Sequence, residues 1–276
     1  MHVLRKERIF VMLLTLKVLN KEHRIICERT GKNFVDLVCL HEYEEGDFIL
    51  LETSQKNIHL KLQVDDALGA SFVYLTDNLC YLIPFGEKRI SYSPKVFSGN
   101  RHYLFAEKAP DYEITSYRNL ALNPNDQHHD VPCYPHASAN VETRGESVFA
   151  AKNAIDGVRA NLSHGEWPYE SWGINRQEDA CIRIDFGRKI KTDRIVLYTR
   201  SDFPHDNWWT QVTLHFSDKS SFDWQLEKSS LAHTIDFPAK EITWLSMDRL
   251  IKAEDPSPFP ALSQIEVYGT VAEKEN

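Results

Sequence analysis

Two segments in the second half of the chain combine aromatic rings with polar side chains. The first runs from His164 to Gly173, and the second runs from Arg200 to Trp209. Aromatic faces pack on apolar C–H groups, while planar guanidinium and amide groups form paired hydrogen bonds with adjacent hydroxyls. Both segments lie between predicted strands, where binding residues concentrate. Their composition is typical of a ligand-binding surface formed by loops.

The sequence contains no recognisable motif for catalysis or for nucleotide binding. There is no nucleophile elbow, His-Glu-x-x-His helix, P-loop or dinucleotide fingerprint. Paired carboxylates cannot be selected by spacing among 40 acidic residues. An enzyme whose site assembles from distant loops stays open as an alternative.

The cysteines are odd in number and widely spaced, with no Cys-x-x-Cys pair that would indicate a zinc ribbon or a redox motif. Scattered thiols of this kind are interpreted as small buried residues of a protein in a reducing compartment. A histidine-rich stretch also matches no zinc spacing, so we interpret its residues as solvated. The cysteines are Cys27, Cys39, Cys80, Cys133 and Cys181, and the stretch holds His128, His129, Asp130, Cys133 and His136.

The length and the net charge of the chain further limit the classes of protein to which it can belong. At about 100–200 residues per domain, 276 residues indicate two domains. The net charge of −8 argues against a general nucleic-acid binder, because an acidic surface repels phosphate. All six Trp follow residue 166, which suggests two halves with different roles.

The N-terminus has two interpretations. Residues 9–19 are apolar apart from Thr15 and Lys17, which resembles a short signal peptide. The alternation of Leu14, Leu16 and Val18 instead favours a half-buried strand. The run is shorter than the ~20 residues of a membrane helix. We therefore predict a cytoplasmic protein without a membrane span, or a secreted one if residues 1–19 are a signal.

Short apolar runs separated by turn residues predict an all-β protein with two β-sandwich domains. We place an N-terminal domain at 1–114, a C-terminal domain at 115–276, and a Pro- and Asn-rich connector at about 107–136. The first domain has candidate strands at 11–19, 23–28, 34–40, 47–53, 57–64, 71–75, 79–84 and 101–106. The second has them at 180–186, 194–200, 211–216, 221–226, 232–237, 241–247 and 262–268, after one helical turn at 148–154. Their spacing suits an eight-stranded jelly roll.

Five short motifs in the second half occur in a familiar order. They are Asn119–Leu122, Ala154–Gly157, Ile182–Gly187, Arg194–Tyr198 and Ile265–Gly269. This order resembles the discoidin domains, also called coagulation-factor C-type domains, of the galactose-binding-like superfamily. It is similar to the family 32 carbohydrate-binding modules over about residues 117–270. The resemblance implies a jelly roll that binds ligand with loops at one end, and many members bind sugars.

The resemblance also implies a structural calcium ion. Asp156 matches the carboxylate ligand, Asn161 falls near a further ligand position, and the carbonyls of Asn153 and Val158 would complete that side. Gln264 stands where the family commonly has Glu, so one negative charge is missing and affinity should fall. The alternative is that Asp156 only caps the turn.

For the ligand, the resemblance implies a sugar held by Arg200, Asn207 and His164. The Arg–Asn spacing is longer than usual, so His205 or Asp206 could replace the Asn. The full predicted set is His164, Trp167, Tyr169, Trp172, Arg200, Asp202, His205, Asn207 and Trp208. Because adjacent residues of an extended segment point to opposite sides, Trp209 is expected in the core, as are Trp224 and Trp244. Trp167, Tyr169 and Trp172 could instead pack together.

These features predict a non-catalytic, lectin-like protein that binds a glycan, without nucleic acid as a partner. Homo-oligomers would raise a weak affinity through avidity. One alternative is an accessory or catalytic subunit of a glycan-processing enzyme, with its site in the first domain. Another is a protein–protein interaction module, for which a broad apolar patch would be the sign.

Overall fold

A computed structural model describes residues 11–160, 162, 164–201 and 207–272. Its regular structure is almost entirely β, and every strand pair is antiparallel. The predicted all-β class with two sandwiches is confirmed. Alternating side chains explain the strands: in residues 58–63, Leu60 and Leu62 are buried while the residues between them are partly exposed.

The first sandwich packs two sheets face to face. One has the order β2-β1-β4-β7, and the other has the order β10-β6-β5-β8-β3, where β10 (Cys133–Tyr134) comes from the connector. Buried residues from both sheets form one core. The strands are β1 (Leu13–Leu19), β2 (Ile25–Lys32), β3 (Phe34–Cys39), β4 (Phe48–Thr53), β5 (Ile58–Gln63), β6 (Ser71–Leu75), β7 (Leu79–Leu82) and β8 (His102–Lys108).

The second sandwich contains eight strands around a separate core. Its main path is β12-β17-β13-β16-β14-β15, with β11 beside β13 and β9 beside β17. The strands are β9 (Arg118–Asn119), β11 (His136–Ala139), β12 (Trp172–Gly173), β13 (Ile182–Thr199), β14 (Trp209–Phe216), β15 (Ser221–Gln225), β16 (His233–Lys252) and β17 (Ala261–Val271). Helix α1 (Asp111–Ile114) and 3-10 turns at Gly86–Arg89, Thr143–Gly145, Ser147–Phe149 and Ala151–Ile155 complete the regular structure.

Two pairs of predicted strands are single long strands. The segments predicted at 180–186 and 194–200 both belong to β13, whose pairing is irregular between Asp185 and Ile190. The segments at 232–237 and 241–247 both belong to β16. An irregularity in strand pairing has the sequence pattern of a turn. In the structure the chain bends at this point and continues in the same strand direction.

The tryptophans divide between core and surface. Trp172 and Trp209 are fully buried, and Trp224 is buried at the edge of the core. The prediction that Trp244 lies in the core is wrong. This ring is half-exposed, and the Arg183 guanidinium covers it at 4.2 Å.

The connector is buried in part and contacts both sandwiches, with residues 125–127 buried. The Gln127 side chain forms hydrogen bonds with both backbone groups of Leu82 in β7. The interpretation of the histidine-rich stretch as solvated holds for residues 128–130, which are exposed. It is wrong for Cys133, which fills the first core, and for His136, which is buried against Asp126 at 2.7 Å.

The predicted first strand is confirmed as β1, while residues 1–10 lie outside the described part. All five cysteines are free thiols. Within the described residues, no helix combines the length and the apolar character needed to cross a membrane.

Candidate ligand-binding site

A cleft of about 110 Å³ opens at one end of the second sandwich, where β12 pairs with the beginning of β17. We call it the loop-end cleft. Three loops and the strand ends between them form its walls. The lining residues are Thr143, Arg144, Phe149, His164, Gly173, Ile174, Asn175, Arg176, Pro258, Phe259, Pro260 and Ala261.

Close packing under the cleft fixes the position of these loops. A Cβ atom on Gly173 would lie 2.6 Å from Thr143 Oγ1 and 3.2 Å from Phe149 Cβ, so only glycine fits. The Asn175 amide donates to Thr143 Oγ1 at 2.9 Å. These contacts tie the turn after β12 to the neighbouring loop, and the turn carries Arg176.

Arg176 is the polar group best placed for a ligand. Its guanidinium lies 4.5 Å from the centre of the Phe259 ring, and 40% of Phe259 is exposed. It forms no hydrogen bond or ion pair with any described residue. Arg144, by contrast, is held by Glu146 through two bonds of 2.6 and 2.7 Å. The cleft therefore offers one uncommitted fork of N–H donors beside an apolar ring.

Backbone strain is concentrated at this cleft. Arg144, Asn175 and Arg176 have φ values of 54°, 48° and 61°, in the left-handed region that side chains disfavour. They are three of the nine non-glycine residues with positive φ in the described part of the chain. Strain of about 1–2 kcal/mol per residue persists only where packing enforces it, and it is common at binding sites.

Of the nine predicted ligand contacts, His164 alone among the described residues lies in this cleft, where it is exposed. Arg200 is fully buried: its amide donates to Ala261 O at 2.9 Å, and Nη1 donates to Tyr169 O at 2.6 Å. Asn207 is fully buried as well. Its Nδ2 donates to Ser257 O at 2.7 Å. These two residues hold the loops that form the cleft and do not line it.

The other predicted residues are dispersed. Trp172 is in the core and donates from Nε1 to Val141 O at 3.0 Å, and Tyr169 is buried against Val148 and Phe149. Trp208 is half-buried beneath the ammonium of Lys228. Trp167 lines a different cleft, described below. Asp202, His205 and Asp206 lie outside the described residues.

Sequence reasoning missed Arg176 and Phe259. Phe259 stands between two prolines directly before the closing strand, a position that marks an ordered loop. This pattern of prolines could have identified Phe259 as a residue of an ordered loop. Nothing local in the sequence distinguishes Arg176 from other surface arginines.

The second cleft, of about 150 Å³, lies between the two sandwiches, and we call it the interdomain cleft. Its charged residues include Lys152 and Asp156. Burial raises the pKa of Asp156 well above its usual value, and the neighbouring Glu170 carboxylate raises it further. Burial likewise raises the pKa of Glu170.

The positions predicted for calcium are arranged as a capped turn. Asp156 Oδ1 accepts the Val158 amide at 2.7 Å, and Gln264 Oε1 accepts the Gly157 amide at 3.0 Å. The Asn153 side chain donates to two carbonyl groups, and Asn161 lies outside the described residues. Calcium needs six to eight oxygen ligands, and two of the predicted oxygens already accept amides. Calcium binding stays a prediction.

These observations define an all-β protein of two sandwiches with a solvent-facing cleft between the loops of the second. A family model described as a domain of unknown function, DUF7402, matches residues 133–268. No curated protein matches the chain.

Several solved structures are similar to part of this chain. Chitosan-binding module 1 from a chitosanase/glucanase of Paenibacillus sp. IK-5 is 19% identical, with a TM-score of 0.39, over 55% of this chain and 99% of that one. The family 32 module of C. perfringens NanJ, in complex with galactose, is 19% identical, with a TM-score of 0.36, over 48% and 91%. The lectin domain of lectinolysin, complexed with Lewis B antigen, is 18% identical, with a TM-score of 0.41, over 56% and 98%. At these values the likeness gives no information about ligand or chemistry.

Proposed function

We propose that this chain is a non-catalytic protein that binds a glycan in the loop-end cleft. The observation that carries the proposal is the pairing of Arg176 with Phe259. The ring holds the guanidinium at 4.5 Å and leaves its N–H groups uncommitted. Two adjacent sugar hydroxyls present oxygens at a spacing that such a fork can bind.

The rest of the cleft suits the same ligand. Pro258, Pro260 and the exposed part of Phe259 form an apolar wall for the C–H face of a sugar ring. His164 and Asn175 lie on the same cleft and can donate or accept further hydrogen bonds. Because the Arg176 guanidinium already packs on the Phe259 ring, less side-chain freedom is lost on binding.

The lining of this cleft argues for binding without turnover. Glycoside hydrolysis generally requires two carboxyl groups flanking the scissile bond. None of the residues described as lining the loop-end cleft is Asp or Glu. Among the described lining residues, a bound sugar would meet hydrogen-bonding groups and an apolar wall, without the pair of carboxyl groups that hydrolysis generally uses.

A glycan array with the wild type, Arg176→Ala and Phe259→Ala tests the proposal. Each variant should weaken binding at least about tenfold, since a charge-assisted hydrogen-bonding group contributes roughly 1.5–3 kcal/mol. Arg183→Ala is the matched control, because Arg183 also stacks on a partly exposed ring but lies outside the cleft lining. Binding of no glycan by the wild type, or equal binding by Arg176→Ala and Arg183→Ala, would refute the proposal.

We also propose a cytoplasmic location, which the five free thiols support, since disulfides are rare in reducing compartments. Mass spectrometry of the protein from its native source tests this. A mature N-terminus beyond residue 19 would show that the segment is a removed signal.

A further inference from the structure

The interdomain cleft is formed by three parts of the chain. The first sandwich contributes a turn after β5 and the segment before β8, the connector contributes residues 123–126, and the second sandwich contributes the turn around Asp156. The lining residues are Ala67, Leu68, Ser91, Tyr92, Ser93, Val96, Asn123, Pro124, Asp126, Lys152, Asp156, Val158 and Trp167. Clefts between domains are preferred places for small-molecule sites.

Lys152 is the unusual residue of this cleft. Only 8% of it is exposed, yet it forms no ion pair with any described residue. Its Nζ lies 3.2 Å from Ser91 Oγ, 3.1 Å from Asn153 Oδ1, and 4.1 Å from the centre of the Tyr92 ring. A buried ammonium without a direct counter-ion destabilises a fold. Its position on the wall of a cleft suits a ligand that supplies a further hydrogen-bond acceptor.

Two acidic residues, Asp126 and Asp156, line the same cleft. Asp156 uses Oδ1 for the Val158 amide. Asp126 is committed to His136 at 2.7 Å and to the Ala137 amide at 2.9 Å. Lys152 supplies hydrogen-bond donors, whereas the carboxyl oxygens of the acidic residues supply acceptors, so the lining offers both kinds of hydrogen-bonding group. A neutral ligand whose groups both donate and accept hydrogen bonds can use both.

Size and shape restrict the ligand further. The cleft volume is about 150 Å³. An engineered protein cavity of roughly that volume holds benzene, so there is room for one six-membered ring. Trp167 lines the cleft with its side chain partly exposed, and its indole offers a flat apolar face. Hydroxyls that donate and accept, on a ring with an apolar face, are the features of a pyranose.

We infer that the interdomain cleft is a second binding site, for a single neutral pyranose sugar that contacts both sandwiches. Trp167 packs on the ring, and Lys152, Asp156 and Ser91 bind its hydroxyls. None of these residues lines the loop-end cleft, so this site is independent of the proposed function.

Fluorine NMR of protein labelled with 5-fluorotryptophan measures ligand binding in this cleft specifically. Trp167 is the one Trp among the lining residues described for it, and the loop-end cleft has none. Trp167→Phe assigns its resonance. D-Galactose, D-glucose, D-mannose, L-fucose and N-acetyl-D-glucosamine are titrated separately to millimolar concentrations, with the linear polyol sorbitol as the control ligand.

We expect at least one sugar, but not sorbitol, to shift the Trp167 resonance saturably. The sugar-induced shift should persist in Arg176→Ala. The affinity read from it should weaken about tenfold or more in Asp156→Asn, which replaces one carboxyl oxygen by an amide nitrogen and keeps the shape. Ala67→Phe, an exposed change on the first sandwich, should block the cleft from the other side and abolish the shift. The other Trp resonances report whether each variant is folded.

Two results would overturn the inference. The first is the absence of a saturable Trp167 shift with every sugar. The second is a shift that Arg176→Ala abolishes or that Ala67→Phe leaves intact, because the sugar would then bind elsewhere. Failure of the proposed function gives a different result. In that case Arg176→Ala has no effect on the glycan array, while the sugar-induced shift of Trp167 is still observed.

Discussion

Replacing Asn207 by alanine distinguishes a residue that supports the loop-end cleft from one that contacts the ligand. The Asn207 side chain is fully buried, donates to Ser257 O at 2.7 Å and accepts the Trp208 amide at 2.8 Å. Each bond contributes about 1 kcal/mol, and a partner left unsatisfied in a buried place adds to the loss. We therefore expect Asn207→Ala to lower the free energy of unfolding by about 2–4 kcal/mol.

Urea denaturation and thermal melting measure this loss. For a chain of this size, the expected change corresponds to a fall in Tm of roughly 5–15 °C. Glycan binding, measured well below that Tm, should also weaken, because Ser257 belongs to the loop that carries Phe259. Arg176→Ala is the contrasting variant. As a surface change it should leave stability within about 0.5 kcal/mol while binding is lost. Wild-type stability of Asn207→Ala combined with lost binding would refute this reasoning and restore Asn207 as a ligand contact.

Three further predictions concern other parts of the molecule. Trp172→Ala should destabilise the protein by about 3–5 kcal/mol in urea, and the half-exposed Trp244→Ala by about 1 kcal/mol; equal losses would contradict the burial described. The hydrogen bond with Cys39 lowers the pKa of Cys27, whereas the other four thiols have raised pKa values. Iodoacetamide near pH 8 should therefore modify Cys27 first in peptide mass spectrometry, with a rate that grows as pH rises, and faster labelling of another thiol would be inconsistent with this. If calcium binds at Asp156, millimolar calcium should raise the Tm above its value in EDTA, and Asp156→Asn should remove the difference; identical melting in calcium and EDTA would reject the site.

The strands were predictable because the alternation of apolar and polar residues lies within each strand segment. A period of two in residues 57–64 gives both the strand and its buried face, and no information from the rest of the chain is required. The same local rule divided β13 in two, since a glycine at 187 followed by charged residues has the composition of a turn. Pairing with β16 on both sides of the irregularity makes it one strand.

The residues of the loop-end cleft were less predictable, because the type of a residue does not show whether its side chain is buried. An Arg or Asn at the end of a strand can bind a sugar hydroxyl or a backbone carbonyl with the same atoms. Arg200 and Asn207 do the latter. The two residues that do meet in the cleft, Arg176 and Phe259, lie far apart in the sequence. Only the fold of the second sandwich brings them together.

The connector also has a consequence for how this chain can be divided. Residues 118–119 pair with β17 in the second sandwich, residues 133–134 then pair with β6 in the first, and residues 136–139 return to β13. The backbone therefore passes from the second sandwich to the first and back again. A cut before Cys133 removes a buried residue from the first core, and a cut after Tyr134 separates β9 from its partner strand β17 in the second sandwich. We therefore expect the two sandwiches to unfold together in a single transition, which would not occur if each held all of its own strands.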